Sequence, residues 1–176
     1  SFQSVSGAGR RALEELRMQT LEPKMKPVIF PRKIAGNQIP QIGDFLENGE
    51  TVEERKFRDE SRKIMHIPAL QVTATAVRVP VEVSHCLSVH ALFEREVSPE
   101  EAIRLLADAP GVGLFPEPFN FPTALDAVGG DLTLVGRVRQ APGFPNALNL
   151  WTAMDNVRKG AASNAIQIAE LVIREM

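Results

Sequence analysis

Residues 77–90 read VRVPVEVSHCLSVH and place two chemically capable side chains, Arg78 and His85, seven positions apart. A guanidinium grips a carboxylate through two parallel N–H donors. An imidazole titrates near neutrality and can take up or deliver a proton. In one unbroken strand the two would stand about 23 Å apart, and the odd spacing would turn them to opposite faces. They serve one small molecule only if the chain bends between them. Pro80 is consistent with a bend, because it fixes its own φ and cannot donate to a ladder. Glu53 and Lys56, three residues apart in a helical pattern, share a helix face. Taken singly, each has an ordinary structural reading: a salt-bridged strand arginine, a structural histidine, a solvated helix face. The lone Cys86 reads as a small buried hydrophobe, and the glycines of SGAG (6–9) signal only a tight turn.

The composition sets the frame. A chain of 176 residues, 44% hydrophobic and 24% charged, is enough for one domain with a real core. A formal net charge of -2 gives no reason to expect a nucleic-acid or acidic-membrane partner. No apolar run approaches the roughly 20 residues of a membrane span, and no secretory h-region is visible. A single cysteine excludes an intrachain disulfide and a multi-thiolate zinc site, and suits a reducing compartment. The opening SFQSVSGAGR already alternates and carries no Met, so a longer protein with a preceding segment is expected.

The elements that must position these residues follow in order. SGAG leads into a helix with Leu13, Leu16 and Met18 as its apolar positions. LEPKMKPVIFPRK, with three prolines, predicts loop or edge strand. Residues 51–65 predict a helix capped by Thr51, with Glu54 completing a capping box. LQVTATAVRVPV and LSVHALFEREV predict two strands. Ser98, Pro99 and Glu101 open a compact helix, and Gly111 lies beyond its end. VGLF, LTLVGRVRQ and ALNLWTAM predict further strands. A last helix carries the stripe Val157, Ala161, Ala165, Ala169 and Val172, suited to lying against a sheet or another helix. Adjacent strands without intervening helices predict an α+β fold: a mixed, largely antiparallel sheet with helices packed on one face.

Five segments in order carry a family resemblance: QSVSGAG, NQIPQI, EERKFRDESRKIM, ATAVRVPVEVSHCLSV, and GRVRQ with LNLWTAMDNVRKGAASNAIQIAE. Together they resemble the C-terminal, substrate-binding and dimerisation part of the aspartate-semialdehyde dehydrogenases, over almost the whole chain. The resemblance implies the C-terminal domain fold of glyceraldehyde-3-phosphate-dehydrogenase-like enzymes. It also implies that residues 1–176 are one domain of a longer two-domain enzyme. The implied reaction is the reversible, NADPH-dependent reduction of L-aspartyl 4-phosphate to L-aspartate 4-semialdehyde, in lysine, methionine and threonine biosynthesis.

The same resemblance implies roles. His85 is the acid–base catalyst and Gln3 orients substrate. Arg78 holds the α-carboxylate, Glu53 the ammonium and Lys56 the phosphate. Asn156 lies near the nicotinamide, with Gly160 allowing close approach. The nucleophilic cysteine and the NADP-binding fold are expected upstream, which leaves Cys86 a packing residue and the isolated chain inactive. Arg78 and His85 would then share one cleft, with a turn between Pro80 and Ser84. The sequence departs from the family pattern at Cys86, Leu87, Gly36 and Gly43. Implied partners are the small-molecule substrate, phosphate and a second copy of the chain, as dimer or tetramer, in the cytoplasm, with no nucleic acid, membrane or metal. Two other readings remain: an N-acetylglutamyl-phosphate reductase-like enzyme, in which Glu53 would meet no ammonium, and a non-catalytic dimerisation module.

Overall fold

The chain starts in a short strand, β1 (Phe2–Gln3), and residues 5–8 form a 3-10 turn ahead of helix α1 (Arg10–Leu21). The computed structural model describes residues 1–175. It divides into two compact units, Ser1–Glu82 and Val83–Met176.

In the first unit α1 turns Ala12, Glu15, Leu16 and Gln19 inward, while Met18 is 41% exposed. The expected stripe is therefore corrected: the buried face follows positions 12, 15, 16 and 19, and half of it is polar. The reason lies in the proline-rich segment beyond the helix, which has no ladder to satisfy its backbone. Glu15 accepts from the N–H groups of Val28 (3.1 Å) and Ile29 (2.5 Å). Gln19 donates to Glu15 at 2.9 Å and accepts from Ile34 and Ala35 at 2.8 and 3.2 Å. Buried backbone amides need such partners, and the side chains of α1 supply them. Val5, Ala12, Leu16, Phe30, Ile34 and Ile39 form the apolar core beside them.

Helix α2 (Val52–Ile64) has the expected capping box between Thr51 and Glu54, and none of its residues is buried. The strand expected over LQVTATAVRVPV is reduced to β2 (Val77–Arg78), parallel to β1. Side chains upstream still alternate, with Thr73 and Thr75 exposed and Ala76 buried. The ladder is missing because β1 offers only Phe2 and Gln3 as partners, and the Ala76 N–H is taken by the Glu54 carboxylate at 2.9 Å. Gly36 and Gly43 have φ of 69° and 78°, a region that favours glycine.

In the second unit β3 (His85–Leu92) pairs antiparallel with β6 (Phe144–Met154). The latter pairs antiparallel with β5 (Thr133–Ala141), which is parallel to β4 (Val112–Leu114). The sheet is mixed and largely antiparallel, as expected, although β3 begins two residues before the predicted strand. Helix α3 (Pro99–Ala107) has Ser98 as N-cap and Pro99 in its first turn, and packs on β4 and β5. Helix α4 (Ala124–Ala127) packs on β6. Gly136 is required by crowding: a Cβ there would stand 2.7 Å from Pro122. The Trp151 indole, opposite Gly136, donates to the Pro122 carbonyl at 2.9 Å.

The chain ends in a π-helical turn (Arg158–Ala162) and helix α5 (Ser163–Glu175). Its predicted packing stripe is exposed: Val157 and Val172 keep 52% and 54% of their surface. Ile166, Ile168, Leu171 and Ile173 are exposed too, so apolar residues lie around the helix and not on one covered face. Among the described residues no helix is long and apolar enough to cross a membrane.

Candidate active site

The segment from Arg78 to His85 is not one strand. Arg78 ends β2 and His85 begins β3, so Arg78 belongs to the first unit and His85 to the second. A Val81 N–H to Val79 carbonyl bond of 2.8 Å closes a three-residue turn about Pro80. Ser84 then takes φ of 84°. The bend expected between Pro80 and Ser84 is present.

Four of the predicted residues gather in the first unit. Pairing of β1 with β2 sets Gln3 opposite Arg78. The backbone of Arg78 is fixed on its other side by Ile39, with reciprocal bonds of 2.8 and 2.9 Å. Gln3 Nε2 donates to Glu53 Oε1 at 2.9 Å, and Lys56 Nζ lies 3.7 Å from Glu53 Oε2. Glu53 and Lys56 project from the first turns of α2, the turns that the capping box rigidifies. Glu54 has a second task that the sequence did not disclose. One oxygen closes the box on Thr51 N–H (2.8 Å), while the other holds Ala76 N–H (2.9 Å), two residues before Arg78. One carboxylate thus joins the helix bearing Glu53 and Lys56 to the segment bearing Arg78.

Arg78 is only 6% exposed. One terminal nitrogen donates to the Ser4 carbonyl at 2.6 Å. Burial pushes its guanidinium below the ordinary arginine value, and the charge of Glu53 pulls it back up. It stays a cation, because arginine does not deprotonate in proteins. Among the described residues no carboxylate lies within salt-bridge distance of it. A buried fork without a carboxylate partner is suited to receive one from a ligand.

The remaining predicted residues fall in the second unit. His85 opens β3 opposite Met154. Asn156 follows β6, and its Oδ1 accepts the Ser84 N–H at 2.9 Å. Gly160 donates its N–H to the Asp155 carbonyl, and a Cβ there would stand 3.7 Å from the Asn156 Cβ. Gly160 has no positive φ, so the backbone itself does not demand glycine. Cys86 is buried, and burial raises its thiol pKa. A protonated, enclosed thiol packs and does not attack. Among the described residues no cluster of His, Cys, Asp or Glu could hold a metal ion.

Sequence reasoning missed the second bond of Glu54, the Ser4 carbonyl under Arg78, and the link from Asn156 to Ser84. Only the capping half of Glu54 left a local signal.

Residues 1–159 match the family model described as semialdehyde dehydrogenase, dimerisation domain. Aspartate-semialdehyde dehydrogenase of Aquifex aeolicus is 46% identical over 182 residues, covering 99% of this chain and 54% of the relative. That of Bacillus subtilis is 44% identical, over 97% and 53%. The solved Vibrio cholerae aspartate semialdehyde dehydrogenase II complexed with ASA superposes with a TM-score of 0.95 at 43% identity, over 98% of this chain and 53% of that one. The chain thus spans about half the length of the relatives it matches. Matched over 159 of its 176 residues, it belongs to the semialdehyde dehydrogenase dimerisation-domain family.

Proposed function

We propose that this chain is the substrate-binding and dimerisation part of an aspartate-semialdehyde dehydrogenase. The longer protein would reduce L-aspartyl 4-phosphate reversibly to L-aspartate 4-semialdehyde and phosphate, in cytoplasmic amino-acid biosynthesis. The observation that carries the reading is the buried Arg78, without a carboxylate partner among the described residues, in the unit that also gathers Gln3, Glu53 and Lys56. The substrate bears a carboxylate, an ammonium and a phosphate. A fixed guanidinium, a carboxylate and a second cation are their complements. The Vibrio cholerae relative, described as complexed with ASA, supports the same substrate class.

In this reading Arg78 receives the α-carboxylate in two parallel bonds. Glu53, steadied by Gln3 and Lys56, faces the ammonium, and Lys56 neutralises the phosphate. Gln3 orients the reacting end of the substrate. His85 moves the proton to and from the reacting oxygen or thiol. NADPH supplies the hydride when bound, and Asn156 and Gly160 are the residues of this chain that would face its nicotinamide. The nucleophilic thiol comes from outside the 176 residues, since Cys86 is enclosed. The N-acetylglutamyl-phosphate alternative leaves Glu53 facing no cation on the substrate and is disfavoured for that reason.

The test is turnover of aspartate semialdehyde with phosphate and NADP, by the full-length protein and by the 176-residue chain. Activity in the former and none in the latter is expected. An inactive full-length protein, or an active isolated chain, contradicts the reading. A second copy of this chain is the proposed partner, and sedimentation equilibrium of the chain should give a mass near twice 19.3 kDa; a stable folded monomer would refute the dimer.

A further inference from the structure

Ser84, immediately before His85, has φ of 84°, a conformation that non-glycine residues rarely adopt. It is 1% exposed, and its buried Oγ finds no hydrogen-bond partner among the described residues. The serine side chain therefore contributes no hydrogen bond that would offset the backbone strain. The Ser84 N–H, in contrast, donates to Asn156 Oδ1 at 2.9 Å. This bond also sets the orientation of the amide, because only its oxygen can accept.

Asn156 is itself held in place. The preceding Asp155 is buried, and its Oδ1 accepts from the N–H groups of Val157 and Arg158 at 2.8 and 2.9 Å. Its Oδ2 accepts from Gly129 N–H at 2.8 Å. Burial alone would raise this carboxyl's pKa, but the backbone bonds from Gly129, Arg158 and Val157 together hold it below its ordinary range. An ionised carboxylate with three backbone donors fixes the turn on both sides of residue 156. The family resemblance assigns Asn156 only a coenzyme role, which leaves this hydrogen bond without a purpose.

We propose that Asn156 is a positioning residue for His85: its amide oxygen clamps the strained Ser84 and thereby sets where β3, and the imidazole at its first position, begin. The inference rests on the reading of His85 as the acid–base group. Replacing the amide oxygen should let Ser84 relax toward negative φ and carry His85 with it. Glycine at 84 should make the clamp less necessary, since glycine takes positive φ without penalty.

The experiment uses the full-length protein and three variants: Asn156→Ala, Asn156→Asp, and Asn156→Ala combined with Ser84→Gly. Asn156→Ala should lower kcat on the order of a hundredfold, the loss that a misplaced catalytic group causes, beyond any rise in KM for NADP from the loss of a nicotinamide neighbour. Asn156→Asp keeps an acceptor at the same place and deletes the amide donor, so it should lose far less than the alanine variant. The double variant should recover about tenfold in kcat, the size of the backbone penalty that glycine removes. The His85 ring resonances in NMR should move in Asn156→Ala and return in the double variant, a readout that does not depend on turnover. A raised KM for NADP in both Asn156 variants, with kcat kept and no recovery from Ser84→Gly, would overturn the clamp and leave Asn156 with its coenzyme role alone. Unmoved His85 resonances would overturn it as well. A wild-type protein without turnover would instead overturn the functional reading, with the resonances still reporting whether the clamp exists.

Discussion

The unit Ser1–Glu82 and the unit Val83–Met176 satisfy their backbones in different ways. The first has a two-residue strand pair and long irregular connections, and several of its amides are met by side chains. Glu15 takes Val28 and Ile29, Gln19 takes Ile34 and Ala35, and Glu54 takes Thr51 and Ala76. The second is organised about the ladder of β3, β6 and β5, where one strand's groups meet another's. Irregular structure concentrates responsibility on a few acceptors, while a ladder spreads it over many. A single substitution should therefore cost more in the first unit, except where the second also relies on one carboxylate.

Glu15→Ala should show the largest effect, about 3 kcal/mol by chemical denaturation of the intact protein, because two amides and the Gln19 side chain lose their acceptor together. A loss below about 1 kcal/mol would break the comparison, since surface positions commonly cost no more than that.

Asp155→Asn tests the exception and should cost about 2 kcal/mol at neutral pH, as charge-assisted bonds weaken to neutral ones. The sign of the pH dependence follows from the lowered pKa of Asp155. The unfolded state binds the proton more readily, so the stability it contributes is present above the ordinary aspartate value of about 3.9. It is lost as pH falls through the lower folded value. The gap between the wild type and the Asp155→Asn variant, followed by denaturation across pH, should therefore narrow under acid conditions; a gap independent of pH would contradict the assignment.

Thr51→Ala and Glu54→Gln sharpen the contrast inside the first unit. Thr51→Ala removes only a helix cap, worth about 1 kcal/mol, and should leave KM for aspartate semialdehyde nearly unaltered. Glu54→Gln keeps one acceptor where two are needed, so either the box or the Ala76 bond fails. Its expected mark is a raised KM, because α2 and the Arg78 segment lose their common anchor. Equal KM changes in both would show that Glu54 acts only as a cap.

The smallest effect belongs to the exposed pairs. Removing Arg95 from its bond to Glu101, or Arg158 from Asp131, should leave thermal stability without resolvable loss, as surface ion pairs are offset by solvation and side-chain entropy.

Legibility in the sequence followed the range of each interaction. The cap of α2 by Thr51 and Glu54 and the opening of α3 by Ser98 and Pro99 were readable, because partners lie within three residues. Gln3, Glu53, Lys56 and Arg78 were singled out through family resemblance, and the structure places these four in one unit. The inward face of α1 was misread at Met18, because the demand for Glu15 and Gln19 arises from backbone amides 13 to 16 residues further on. The strand over residues 71–76 was predicted from side-chain alternation, which is real, but alternation says nothing of whether a partner strand is long enough to pair.

By itself, then, the sequence determined the caps of α2 and α3, the strand-rich second half and the residue types suited to a carboxylate, an ammonium and a phosphate. These are consequences of local sterics, short-range hydrogen bonds and side-chain chemistry. Tertiary structure alone decided which oxygen meets which N–H: Gln3 with Glu53 across 50 residues, Ser84 with Asn156 across 72, Arg78 with Ser4 across 74. No local pattern encodes such pairs, because each exists only after folding has brought distant segments together and excluded the water that would otherwise satisfy the same groups.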